Sequence, residues 1–234
     1  MNLYFLVEGK RTEPKVYAAW LPLLFAGLTR AVKIEDLQGN HFLILSANGY
    51  PFARNLLANV LADVRSHGQI DLLFVCMDAE EETVAARRQE LEDIIAQSLS
   101  ANTLPMRYAI IVQNRTIETW FLGNRRIVSR APQGESLRQC LQHYSVVEQD
   151  PERLPVPDGS AANHATYHHH YLKAIFNEHG LTYHKNNPGE VLQESYLRQL
   201  VLRTRDTPHL ATLNHFLHVC QDLGGILPAR GDSV

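Results

Sequence analysis

The chain has 234 residues, with 22 Lys+Arg against 25 Asp+Glu and a formal charge of −3. That near balance argues against an evenly basic coat for nucleic acid, and 45% hydrophobic with 20% charged residues excludes wholesale disorder. At this length one sizeable domain, or one with an appendage, is expected. Cys76, Cys140 and Cys220 are scattered and form no CxxC pair, a usage that fits a reducing compartment. The apolar run 3–7 stops at Glu8, too soon for a signal peptide, and no segment approaches the roughly 18 apolar residues of a membrane span. The expected location is the cytoplasm, with no membrane partner.

The first 120 residues alternate strand-like and helix-like blocks. Residues 3–7 read as a buried strand. After the polar turn 8–12, Thr12 and Pro14 open a helix reaching about Ala26. Residues 31–36 and 41–45 flank Gly39-Asn40 in the manner of a hairpin or tight turn. Pro51 opens a second helix, with Phe52, Leu56, Leu57, Val60, Leu61 and Val64 at helical spacing. Residues 70–77 (IDLLFVCM) form the strongest strand, ending at Asp78, and 81–100 read as a helix with Glu81 and Glu82 in its first turn. Residues 108–112 are another buried strand, and 114–122 a polar turn entering an aromatic helix start. These blocks predict an α/β fold, a largely parallel sheet covered by helices on both faces. Beyond Gly123 the texture breaks: 149–162 reads as a long surface loop, and 167–179, 191–203 and 210–223 as helices of a C-terminal appendage.

In an open α/β sheet, ligands bind outside the carboxyl ends of the strands, and here that edge is acidic. Glu8 ends the first strand, Asp78 and Glu80 follow the third strong one, and Glu118 comes after the strand 108–112. If those strands are neighbours, Glu8, Asp78 and Glu80 meet in one small volume. Carboxylates so close raise each other's pKa unless a cation neutralises them, and Mg²⁺ or Mn²⁺ suits an all-oxygen set. Gly9 allows close backbone approach, and Lys10 and Arg11 are placed to contact a phosphate. There is no P-loop spacing and no Gly-x-Ser-x-Gly elbow, which leaves metal-assisted phosphoryl chemistry ahead of nucleotide hydrolysis or acyl transfer.

The segment Leu6-Val7-Glu8-Gly9-Lys10 with Thr12-Glu13, together with Phe74-Val75-Cys76-Met77-Asp78-Ala79-Glu80, resembles the first two motifs of the Toprim superfamily. Ile117-Glu118-Thr119-Trp120 is similar to a segment of small stand-alone proteins related to OLD-family nucleases. The likeness covers about residues 1–125, implying a Toprim-like catalytic core there and a helical extension over 126–234 packed upon it. It extends to residues 208–217, where a proline precedes an apolar helix. What it implies is a nuclease acting on DNA or RNA. Glu8 would serve as metal ligand or acid/base, Asp78 and Glu80 as metal ligands, and Glu118 at a second metal. Lys10 and Arg115 would contact phosphate, with Lys185 as a distal lysine. It also implies a separately encoded ATPase partner and a role in anti-phage defence; a homo-oligomer is a further partner that the sequence leaves open. Glu80 stands where a second Asp is commoner, which supports an alternative: a non-catalytic regulatory or scaffolding subunit of an ATPase complex.

Arg125 and Arg126 with Arg130, and Arg198 with Arg203 and Arg205, read either as solvated faces or as tracks for a phosphate backbone. His164 and His168, at i,i+4 spacing in a His-rich stretch, form a possible zinc pair weighed against a merely polar helix face. Trp120 and Phe121 are expected in the core.

Overall fold

The computed structural model describes residues 1–99 and 107–229. Its centre is an all-parallel five-stranded sheet of order β2-β3-β1-β4-β5, with helices on both faces. The strands are β1 (Asn2–Val7), β2 (Thr29–Arg30), β3 (His41–Ser46), β4 (Leu72–Asp78) and β5 (Tyr108–Gln113). The chain is therefore an α/β protein of the kind expected. Alternation along each strand splits the core into two layers. Leu3, Phe5, Val7, Phe74 and Cys76 face one cluster, while Tyr4, Leu6, Leu73, Val75 and Met77 face the other.

The first cluster receives α1 (Glu13–Leu24) and the second receives α2 (Tyr50–His67) and α3 (Val84–Ser98). The chain moves from β1 to β3 in one direction and from β3 to β4 and β5 in the other. Right-handed crossovers then require opposite faces for the two sets of helices. The reversal leaves a crevice at the carboxyl ends of β1 and β4, the usual place for a ligand in such a sheet.

The remaining helices are α4 (Ile117–Phe121), α5 (Glu135–His143), α6 (His164–Glu178), α7 (Glu194–Asp206) and α8 (Ala211–Asp222). They close over the face that carries α1. Phe216 of α8 meets Tyr17 and Phe74 edge-on, and Phe74 stacks on Phe5 at 4.2 Å. Trp120 is fully buried and donates through Nε1 to Thr212 at 2.8 Å, and Trp20 donates to the Val191 carbonyl at 2.9 Å. Trp120 and Phe121 are core residues, as expected.

Several boundaries differ from the sequence expectation. Residues 31–36 and 41–45 form no hairpin: β2 is only Thr29–Arg30 and runs parallel to β3. The chain returns through a 3-10 turn, Ile34–Asp36, and through Gly39 and Asn40 at φ +129° and +57°. The buried Asn2 side chain fixes this return, donating to the carbonyls of Leu37 (3.0 Å) and Gln69 (2.9 Å) and accepting from the Gly39 amide (3.0 Å). On α2, Phe52 turns outward and is 62% exposed. Glu81 and Glu82 precede the third helix, whose cap is Thr83, accepting from the Ala86 amide at 3.1 Å. Ser100, the expected end of that helix, lies outside the described residues.

The segment 149–162 is more than a surface loop. Its 3-10 turn Pro151–Arg153 puts Glu152 against the start of α8, where it accepts from the Thr212 amide (3.0 Å) and hydroxyl (2.5 Å). Arg203 is likewise neither a solvated arginine nor a phosphate track. It is 3% exposed, and its guanidinium donates to the carbonyls of Gly123 (3.1 Å), Val146 (2.7 Å) and Gln149 (2.6 Å). Arg198 pairs with Glu194, and Arg205 reaches the Pro228 carbonyl. Replacing Arg203 by Met leaves three carbonyls without their donor. Arg203→Met is expected to lower stability in urea unfolding by about 3 kcal/mol or more.

Candidate functional site

The acidic edge is assembled by backbone pairing at the strand ends. The Glu8 amide donates to Cys76 (3.1 Å), the Gly49 amide to Glu8 (2.9 Å), and the Ala47 amide to Val7 (2.9 Å). The Asp78 amide then donates to Glu8 Oε2 at 3.0 Å, so the first acid is held by the backbone of the second. Around them opens a cleft of about 320 Å³, lined by Glu8, Glu13, Asp78, Glu80 and Glu118, with Lys10, Arg11 and Lys185 as its cations. Glu8, Glu13 and Glu118 are buried, whereas Glu80 is exposed at the rim.

Glu13 is the residue the sequence reading missed as part of the site. It sits in the first turn of α1, next to Pro14, and takes the Gly9 amide as a hydrogen-bond donor. A β-carbon on Gly9 would lie 1.9 Å from Glu13 Oε2, so glycine is needed there for close approach rather than for a special φ. The available signal was the short turn 8–12: five residues between a strand end and a helix start must bring the helix N-terminus back beside Glu8.

The acids are short of positive charge. Burial, with Glu80 nearby, pushes Glu8 up to about 7 despite its amide donor. Burial and the charges of Glu8 and Glu118 push Glu13 up to about 8. Asp78 is raised well above the carboxylate range, first by burial and then by Glu13, Glu8 and Glu118. Asp78 Oδ1 and Glu13 Oε1 are buried without a hydrogen-bond partner. Among the described residues no three His, Cys, Asp or Glu side chains already stand in a metal-holding group. The orphaned oxygens and uncompensated charge nevertheless fit a hard divalent cation with oxygen ligands.

Comparison with known protein families, with curated proteins and with solved structures finds no match.

The other residues singled out from the sequence divide clearly. Lys10 and Arg11 are exposed on the cleft wall, and Lys185 lies inside, 3.6 Å from Glu118. Arg115 does not line the cleft. At φ +67° it donates to the carbonyls of Glu80 (3.1 Å) and Glu82 (3.5 Å), holding the loop after β4, where Glu80 also has a positive φ of +52°. Arg125 and Arg126 lie in a separate 3-10 turn and do not line it either; Arg125 sits instead close enough to Arg203 to help lower its pKa. The His164–His168 pair is not poised for zinc. His168 is fully buried with Nδ1 on Thr119 (2.7 Å) and Nε2 on the Leu154 carbonyl (3.1 Å), and His164 pairs with Glu81 at 2.6 Å.

A carboxyl with a raised folded-state pKa binds its proton more tightly in the fold than in the unfolded chain. The stability this confers is present at low pH and lost as pH rises from about 4.5 through about 7 to 8. In a metal-chelating buffer, urea unfolding is therefore expected to give a stability lower by on the order of 2–4 kcal/mol at about pH 8.5 than at about pH 5.5. Glu13→Gln is expected to recover about 1–2 kcal/mol at the higher pH by removing one of the crowded charges.

Proposed function

We propose that this chain is a Toprim-type, metal-dependent nuclease that hydrolyses phosphodiester bonds in DNA or RNA. The observation that carries the reading is the convergence of Glu8, Glu13 and Asp78 at the β1–β4 crevice, with two carboxylate oxygens buried and unpartnered and with lysine and arginine at the same cleft. Asp78, Glu8 and Glu13 would hold Mg²⁺ or Mn²⁺, which when bound supplies neutralisation of phosphate charge and activation of water.

The chain's own groups account for the remaining work. Glu8 has its orientation fixed by the Asp78 amide, which donates to its Oε2 at 3.0 Å. Lys10, Arg11 and Lys185 bring positive charge to the cleft and orient the phosphate. Such local basic groups reconcile a net charge of −3 with a polyanionic substrate, and an ATPase partner or a second copy of the chain would add further surface for it.

A competing reading is a non-catalytic subunit of the same fold that binds a partner protein. It is favoured by Glu80, which stands exposed at the rim in a left-handed backbone conformation rather than among the buried acids. Cleavage of plasmid DNA and of RNA with Mg²⁺ or Mn²⁺ separates the two. Glu8→Gln and Asp78→Asn, folded by circular dichroism, are each expected to lose at least about a hundredfold, or about 2.7 kcal/mol of transition-state stabilisation. Wild-type activity in both variants would rule out the nuclease assignment.

A further inference from the structure

The two sides of the cleft are not equivalent. On the β1–α1 and β4 side, Glu13 and Asp78 each keep a buried oxygen without any partner. On the α4 side, Glu118 has both oxygens engaged. Oε2 accepts from the Thr116 hydroxyl at 2.5 Å, and Oε1 accepts from the Tyr183 hydroxyl at 3.0 Å and faces Lys185 Nζ at 3.6 Å. Tyr183 is fully buried, and burial together with Glu118 holds its hydroxyl far above the usual tyrosine range, so it remains a donor. The Glu118 side chain is 1% exposed, with a lysine beside it that is 38% exposed.

The backbone around Lys185 is anchored independently of Glu118. The Lys185 carbonyl accepts from the Thr12 hydroxyl at 3.4 Å, the Asn186 carbonyl accepts from Lys15 Nζ, and His184 and Asn187 form a bridge across the turn. The turn is thus pinned to the start of α1, the helix turn that carries Glu13. Lys185 is held at its backbone by the start of α1 and contacts a buried carboxylate through its ammonium. Breaking its pairing with Glu118 to admit a second cation there would leave two charges to be accommodated in one small space.

We propose that Glu118 is a positioning residue for Lys185 rather than a ligand for a second metal, so that the cleft takes one divalent cation on Glu8, Glu13 and Asp78 and one ammonium held beside Glu118. The single-cation half rests on the metal-dependent reading above; the Glu118–Lys185 half does not. In this arrangement the cation would neutralise phosphate charge and Lys185 would add a second positive charge, with Glu118 and Tyr183 setting where the ammonium sits.

The test uses the full chain and two readouts. Calorimetric titration with Mn²⁺, checked by the electron paramagnetic resonance signal of the free ion, is expected to give a single ion per chain. Its affinity should change by less than about threefold in Glu118→Gln and Tyr183→Phe, and fall by at least about tenfold in Asp78→Asn. Acetylation of Lys185 in a chelating buffer, followed by peptide mass spectrometry, should run at least about threefold faster in Glu118→Gln and faster to a lesser degree in Tyr183→Phe, which keeps the buried ring. Two ions per chain with one lost in Glu118→Gln, a tenfold loss of Mn²⁺ affinity in that variant, or unchanged Lys185 acetylation would overturn the proposal. Absence of Mn²⁺ binding by the wild-type chain would count against the nuclease reading and the single-cation half together, while the acetylation contrast still decides the role of Glu118.

Discussion

Parallel pairing of β1 with β4 places Val7 opposite Cys76, and just beyond that pair the Asp78 amide donates to the Glu8 carboxylate at 3.0 Å. That bond makes two acids of distant sequence into one site. An acid at a solvated strand end costs little, but two acids at adjoining ends of central strands, roofed by a helix start that brings a third, repel and lose solvent together. Burial first, and then the neighbouring carboxylates, raise the pKa values of Glu8, Glu13 and Asp78. The rest of the molecule provides the rigidity that holds the acids there: two apolar layers, one on each side of a sheet whose central strand β1 is buried throughout.

The helices beyond residue 125 take part in that rigidity and in the site itself. The apolar cluster on the α1 face runs without a break from Phe5 and Phe74 to Phe216 of α8 and to Tyr171 of α6. Arg203 fastens three loop carbonyls between α4 and α7, and Glu152 caps the start of α8. From the same half of the chain come Ala165, at the start of α6, and Lys185, both lining the cleft, as well as Tyr183 behind Glu118.

Charge compensation divides the cleft. Glu118 has both oxygens engaged, one by Thr116 and the other by Tyr183 and Lys185, whereas Asp78 and Glu13 each retain an oxygen with no donor. Lys185 also lowers the pKa of Glu8, Glu13 and Asp78, yet it does not offset burial. One lysine does not offset the burial and mutual repulsion of several acids, and their pKa values stay raised.

The sequence alone determined the strand and helix alternation, the parallel α/β class and the placement of Glu8 and Asp78 at strand ends. Those features are written in local runs: unbroken apolar strands such as 72–77, helical spacing in 53–64, and acids placed at strand ends. Tertiary structure decided everything that depends on which distant groups meet. It made Ala31–Asp36 a return path rather than a strand, because parallel pairing of β2 with β3 requires the chain to come back before pairing again. It brought in Glu13 through the tight turn after β1, and Lys185 through contacts with α1, more than 170 residues away along the chain. It also turned Arg203 and His168 inward as structural donors and acceptors, where composition suggested a surface role. A carboxylate or an arginine looks the same in sequence whether it is solvated, paired or orphaned; only packing sets its partners, and the partners decide its chemistry.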